Sequence, residues 1–260
     1  MKEKHKKAIN KLKAIFEYDS KYLALIISGS IVDNTAEDTS DIDIYLVVTE
    51  KEFQKRLKNK DIFYGNSEIC DYEGGYVDGK IVSLSYLKDA IDNANEPTRA
   101  SFNDALIIFS KVDRLESIIK QISKYPEYER DEKIRAFHSQ TQTSHYFATQ
   151  ALALNNKYLL LRSVDNMIFF GCRLLLAYNR ILFPCHKSLF KAIQEAKEIP
   201  KDLMRNTDIL IKQMNQKNID TFYDCIMNFR DWGISINEDI NLILENEMNW
   251  YTKRLSFSEW

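Results

Sequence analysis

The chain has 260 residues, 45% of them hydrophobic and 28% charged, with a formal net charge of −2. That apolar content supports a buried core and excludes a disordered chain, and the near-neutral charge removes the basic face that non-specific nucleic-acid binding needs. The four cysteines (Cys70, Cys172, Cys185, Cys225) form no C-x-x-C, the start MKEKHKKAINKLK is charged, and no apolar run reaches membrane-spanning length; the expectation is a cytoplasmic protein with reduced thiols and no membrane partner.

Along the chain, Lys2 to Phe16 carries apolar residues at Ile9, Leu12, Ile15 and Phe16, a helical spacing. Tyr22 to Ile27 is a short apolar run, read as a buried strand. Asp41 to Val48 alternates and then turns fully apolar, which suits a central strand. Glu50 to Lys60 reads as a charged surface helix. Glu68 to Tyr72 and Lys80 to Leu84 flank Gly74, Gly75 and the pair Asp78-Gly79, a hairpin signal because Asp-Gly favours positive φ. Ala105 to Phe109 is a last short strand. From Asp113 onward only Gly171 and Gly233 remain among the glycines. Apolar residues there recur at three- and four-residue spacing, as in Leu159, Val164, Met167, Ile168, Leu174, Leu175 and Tyr178, and Pro126, Pro184 and Pro200 punctuate the helices. The predicted fold class is α+β: a mixed sheet with helices over residues 1–112, then an all-α bundle over 113–260.

The stretch that carries chemistry runs from Ser28-Gly29-Ser30 to Ser40-Asp41-Ile42-Asp43. A strand ends at Ser28, and Gly29 lets the backbone turn tightly and approach a ligand. Ser30 offers a hydroxyl beside exposed N–H groups, a cradle for phosphate. Asp41 and Asp43, at i and i+2 of a strand, point to one face. Two carboxylates that close repel unless a cation neutralises them, and an oxygen-loving ion such as Mg²⁺ would also bind substrate phosphates. The pattern G-S-x10-D-x-D arises by chance in about 0.3% of chains this long at ordinary residue usage, so it outweighs the bland reading of a capped loop before a strand.

This stretch resembles the signature of the nucleotidyltransferase (polymerase β-like) superfamily, which places G-S, a segment of about ten residues, and S-D-I-D on a strand. Ser40-Asp41-Ile42-Asp43 matches directly, while Asn34 stands where many members have glycine. The resemblance implies that Asp41 and Asp43 are catalytic and hold Mg²⁺. It also implies that Gly29, Ser30 and Ser40 contact a nucleoside triphosphate, with ATP expected. Active members bring a third carboxylate from a later strand. Related sequences read D-L-D where this chain has Ser83-Leu84-Ser85, which predicts either a weakened enzyme or a substitute among Asp78, Asp71 and Glu68.

The segments around Glu96-Pro97-Thr98-Arg99 and Asn179 to Lys187 look like parts of small-molecule nucleotidyltransferases, including the aminoglycoside and lincosamide resistance enzymes. In these a helical domain closes over nucleotide and acceptor, often in a homodimer. Arg99, Arg180 and Lys187 become candidate phosphate or substrate contacts, and the implied reaction moves a nucleoside monophosphate to a hydroxyl of a small molecule. Competing readings are a nucleotide-binding module without activity and a toxin–antitoxin component. Arg180 and His186 have the R-x5-H spacing of HEPN-type RNase domains, but Pro184 interrupts it; His138 and His145 share a helix face without a third ligand nearby in sequence.

Overall fold

The computed structural model describes residues 1–33 and 36–259, so Asn34 lies outside the described residues. The chain forms two compact units, Met1–Lys124 and Tyr125–Trp260.

The first unit contains, in order, α1 (Glu3–Phe16), β1 (Tyr22–Ser28), β2 (Ile42–Val48), α2 (Glu50–Lys58), β3 (Phe63–Asn66), β4 (Val77–Ser83), α3 (Leu84–Asn93), α4 (Glu96–Ser101), β5 (Leu106–Ser110) and α5 (Leu115–Ile122). The strands make one five-stranded sheet in the order β3-β4-β2-β1-β5. The pairs β1/β2, β1/β5 and β3/β4 are antiparallel, and β2/β4 is parallel. Alternation across the strands divides the inner residues between two faces. Leu25, Ile27, Ile44, Leu46 and Ile81 face a core with Ile9, Leu12 and Phe16 of α1. Ala24, Ile26, Tyr45, Val47 and Val82 face a second core with Leu87 of α3, Phe102, and Leu115 and Ile119 of α5. Burial on both faces explains why β1 and β2 read as continuous apolar runs. Helix α5 belongs to this second core, and the compact sheet unit runs on to Lys124.

Two predicted strands differ. Residues 68–72 are bends and irregular backbone, and the strand paired with β4 is Phe63–Asn66 instead. β4 begins at Val77, three residues before the expected Lys80. The cause is Asp78-Gly79, whose sequence imitates a positive-φ turn. Gly79 does not have a positive φ here and serves close packing: a Cβ on it would stand 2.9 Å from the Tyr64 carbonyl oxygen and 3.0 Å from Ile44 Cγ1.

In the second unit every element among the described residues is helical: α6 (Arg130–Ala153), α7 (Lys157–Asn179), α8 (Leu189–Glu195), α9 (Leu203–Lys212), α10 (Gln216–Met227), α11 (Ile236–Glu247) and α12 (Asn249–Thr252), with short 3-10 turns between them. Its core gathers Phe137 of α6, Met167, Leu174 and Leu175 of α7, and Phe222 and Ile226 of α10. His138 Nδ1 lies 2.8 Å from Asp239 on α11, and His145 Nε2 lies 2.8 Å from Asp220 on α10. The two histidines therefore tie α6 to two other helices. Arg180 pairs with Glu127 at 2.7 Å while His186 stacks on Phe169, so the R-x5-H pair serves two separate contacts. No helix of the described residues is long and apolar enough to cross a membrane.

Candidate metal and nucleotide site

The site grows from the register of three strands in the first unit. Ser28, the last residue of β1, stands opposite Asp43, and Asp43 stands opposite Asp78 of β4. Residues directly opposite in a sheet project to the same face, and Asp41 precedes Asp43 by two, so Asp41, Asp43 and Asp78 converge. One carboxylate oxygen from each lies within 4.8 Å of the others. Among the described residues this is the one group of three or more His, Cys, Asp or Glu side chains so placed. Asp41 is exposed, and Asp43 and Asp78 are half-buried.

The turn after β1 is built around the central carboxylate. Gly29 has φ +68°, the left-handed region that glycine enters without cost. A Cβ on Gly29 would fall 2.9 Å from Asp43 Cγ and nearer still to its Oδ2. The backbone thus runs against the carboxylate in a way that no residue with a side chain permits. Gly29, Ser30 and Ile31 form a single 3-10 turn, and its carbonyl at Gly29 accepts from the N–H groups of Val32 (3.1 Å) and Asp33 (3.3 Å).

Asp41 is held from the other side by the segment before β2. Ser40 Oγ accepts from the Glu37 N–H at 2.8 Å, and the Ser40 carbonyl accepts from the Tyr72 hydroxyl at 2.9 Å. Burial pushes the Tyr72 phenol well above its ordinary range, which keeps it a neutral donor. Lys4 and Lys2 reach Asp38 Oδ1 at 2.7 and 3.0 Å, and their hydrogen bonds lower its carboxyl to about 2. His5, fully buried, meets the Tyr72 ring edge-on with centroids 5.4 Å apart. The start of α1 therefore clamps the loop that delivers Asp41, a role with no local sequence signature.

The predicted third position needs correction. Ser83 stands opposite Val48, at the far end of β4 from the Asp43–Asp78 pair. Its hydroxyl caps α3 by accepting from the Tyr86 N–H at 3.1 Å, and it bonds Ser85 Oγ at 2.7 Å, which in turn donates to Glu50. Ser83 is the N-cap of α3 and Ser85 lies in its first turn, and the carboxylate that stands with Asp41 and Asp43 is Asp78. Asp71 is engaged elsewhere, with Lys11 at 2.7 Å, and Glu68 is exposed on a bend.

Arg99, a candidate phosphate contact, is turned inward. It is 2% exposed, and its guanidinium donates to the carbonyls of Ala94 (2.9 Å), Ile91 (3.0 Å) and Ile122 (3.3 Å), stitching α3, α4 and α5 together. Lys187 is exposed on a 3-10 turn of the second unit, His186–Ser188. Ser40 acts here through the loop bonds already described, and Ser30 is half-buried on the glycine turn.

The donor set suits a hard divalent cation. Three clustered carboxylates repel unless neutralised, and oxygen-only ligands favour Mg²⁺ or Mn²⁺ over zinc. Among the described residues no lysine or arginine pairs with Asp41 or Asp78.

No protein-family model matches the chain, and no curated protein sequence matches it. A solved structure does: a nucleotidyltransferase-like protein from Exiguobacterium sibiricum 255-15, with a TM-score of 0.51 and 12% identity, covering 92% of this chain and 78% of that one. The two share an α+β fold, a mixed sheet with helices followed by a C-terminal helical region.

Proposed function

We propose that the protein is a metal-dependent nucleotidyltransferase that moves a nucleoside monophosphate, with ATP the expected donor, to a hydroxyl of a small molecule. The observation that carries this reading is the convergence of Asp41, Asp43 and Asp78 beside the left-handed Gly29 turn. Asp41, Asp43 and Asp78 would hold Mg²⁺, which when bound supplies positive charge to the phosphates and to the developing transition state. Gly29 and Ser30 present the backbone N–H groups and hydroxyl that grip the donor's phosphates. Asp78, on the outer side of the triad from that turn, is the carboxylate to take the proton of the acceptor hydroxyl. The acceptor oxygen then bonds to the α-phosphorus, the bond from that phosphorus to the β-phosphate oxygen breaks, and pyrophosphate leaves. Positioning and fixed charge do most of this work, and a general base adds about 10²–10⁴-fold.

Pairing of two such chains in a homodimer belongs to the same proposal. Titrating ATP by calorimetry with and without Mg²⁺ tests the reading. Wild type should bind only with the metal, and Asp41→Asn with Asp43→Asn should abolish the heat. Metal-independent binding that survives both changes would contradict it.

A further inference from the structure

The sheet face that carries the triad continues outward past Asp78, and the residues there are neither acidic nor aliphatic. On β4, Lys80 follows Asp78 on the same face; it stands opposite Tyr45 on one side and Phe63 on the other. The Lys80 ammonium lies over the Tyr45 ring, 5.5 Å from its centroid, and among the described residues no Asp or Glu pairs with it. Phe63, on the edge strand, is 55% exposed although it sits in a sheet. Two residues along that strand, Gly65 stands directly opposite Asp78. A Cβ on Gly65 would meet Phe63 Cε1 at 2.7 Å and the Tyr76 hydroxyl closer still, so the Phe63 ring and the Tyr76 hydroxyl stand over Gly65, opposite Asp78. The result is an aromatic shelf with one cation, adjoining Asp78, the carboxylate that lies across β2 from the Gly29 turn.

The order of strands gives the shelf its place in the reaction. Displacement at phosphorus is in-line: the entering and leaving oxygens lie on opposite sides of the α-phosphorus. Gly29 and Ser30 sit on the β1 side of Asp43, and Asp78 with β3 sits on the other. A donor whose β- and γ-phosphates rest on the β1 side is attacked from the β3 side.

We propose that this shelf receives the acceptor, and that the acceptor is a hydroxyl compound carrying a flat ring and an anionic group. The inference rests on the nucleotidyl-transfer reading for its direction of attack. The ring stacks against the exposed Phe63, and the anion, a carboxylate or phosphate, meets Lys80. Mg²⁺ offsets two of the triad's three negative charges, and Lys80 is the cation on the shelf itself, so an anionic group is favoured beside its ammonium and a polycationic acceptor such as an aminoglycoside is disfavoured there.

The test uses the full-length protein with Mg²⁺ and a non-hydrolysable ATP analogue at saturation, so that the donor subsite is filled. Phenyl phosphate and benzylamine, matched in ring and opposite in charge, are titrated by calorimetry. Phenyl phosphate should bind at least about tenfold more tightly than benzylamine. Lys80→Glu should weaken phenyl phosphate about tenfold and remove that preference. Phe63→Ala should weaken both probes, and the affinity for the ATP analogue should stay within about twofold in each variant. Equal binding of the two probes overturns the proposal. So does a loss of nucleotide affinity in Lys80→Glu, which would place Lys80 in the donor subsite. If the ATP analogue fails to bind wild type, the nucleotidyl-transfer reading fails, and the charge preference of the shelf is still read from the two probes with Mg²⁺ alone.

Discussion

Replacing Gly29 by alanine separates the two costs that this position carries. The first is conformational: at φ +68° an alanine is strained by about 1–2 kcal/mol, partly offset by about 0.4–1 kcal/mol from the stiffer unfolded chain. The second is steric and specific, since the new methyl would sit 2.9 Å from Asp43 Cγ and displace the carboxylate. Gly233 is a control built into the same chain, with φ +66° and nothing within 4 Å of an added methyl. Urea denaturation should show Gly233→Ala destabilised by about 1 kcal/mol net, the backbone strain alone, and Gly29→Ala destabilised by more, because its methyl also displaces the carboxylate. Magnesium-dependent ATP binding, measured by calorimetry, should fall at least about tenfold in Gly29→Ala and stay at the wild-type value in Gly233→Ala. Unchanged nucleotide affinity in Gly29→Ala would refute the idea that this glycine exists to let the backbone reach Asp43.

Three further outcomes follow from the geometry. Ser83→Asp should give no gain in pyrophosphate release and should cost stability of about 1 kcal/mol or more, because a buried helix-cap hydroxyl would become a buried charge near Glu50; a marked rise in rate would restore the serine positions to the site. Arg99→Ala should destabilise the fold by about 3 kcal/mol, since it leaves buried carbonyls without a donor; a loss below about 1 kcal/mol in urea would argue against that role. His5 governs a pH dependence: burial and the neighbouring Lys4 and Lys2 lower its pKa in the folded protein, so the folded chain resists the proton that the unfolded chain accepts below about pH 6.5. Its contribution is therefore intact above about pH 6.5 and falls away below it, at up to about 1.4 kcal/mol per pH unit. His5→Phe should flatten a plot of stability against pH on the acid side of about 6.5; an unaltered slope would contradict this.

The parts of the molecule legible in the sequence are those written in short-range pattern. The buried strands β1 and β2 announce themselves as apolar runs, and Gly29, Asp41 and Asp43 lie in one short stretch whose spacing alone implies a shared face. Asp78 is legible only as one of three substitutes, because its partner is chosen by a parallel register between strands far apart in sequence, and because Asp-Gly imitates a turn. A better clue lies in Val77 and Ile81, four residues apart on one strand face and both buried against α1, which leaves Asp78 on the opposite face. Arg99 misleads for a related reason: a sequence does not distinguish an arginine that reaches out to phosphate from one that turns inward to carbonyls. The Lys2, Lys4, His5 and Tyr72 clamp on the Asp41 loop depends wholly on tertiary contacts and leaves no signal in the sequence.

Whether Asp78 completes the metal site with Asp41 and Asp43 is decided by manganese titration followed by electron paramagnetic resonance, with ATP present, on wild type, Asp78→Asn and Asp71→Asn. If it does, Asp78→Asn binds manganese at least about tenfold more weakly than wild type, while Asp71→Asn, whose carboxylate is held by Lys11, binds it as wild type does. Wild-type manganese affinity in Asp78→Asn would contradict a three-carboxylate site.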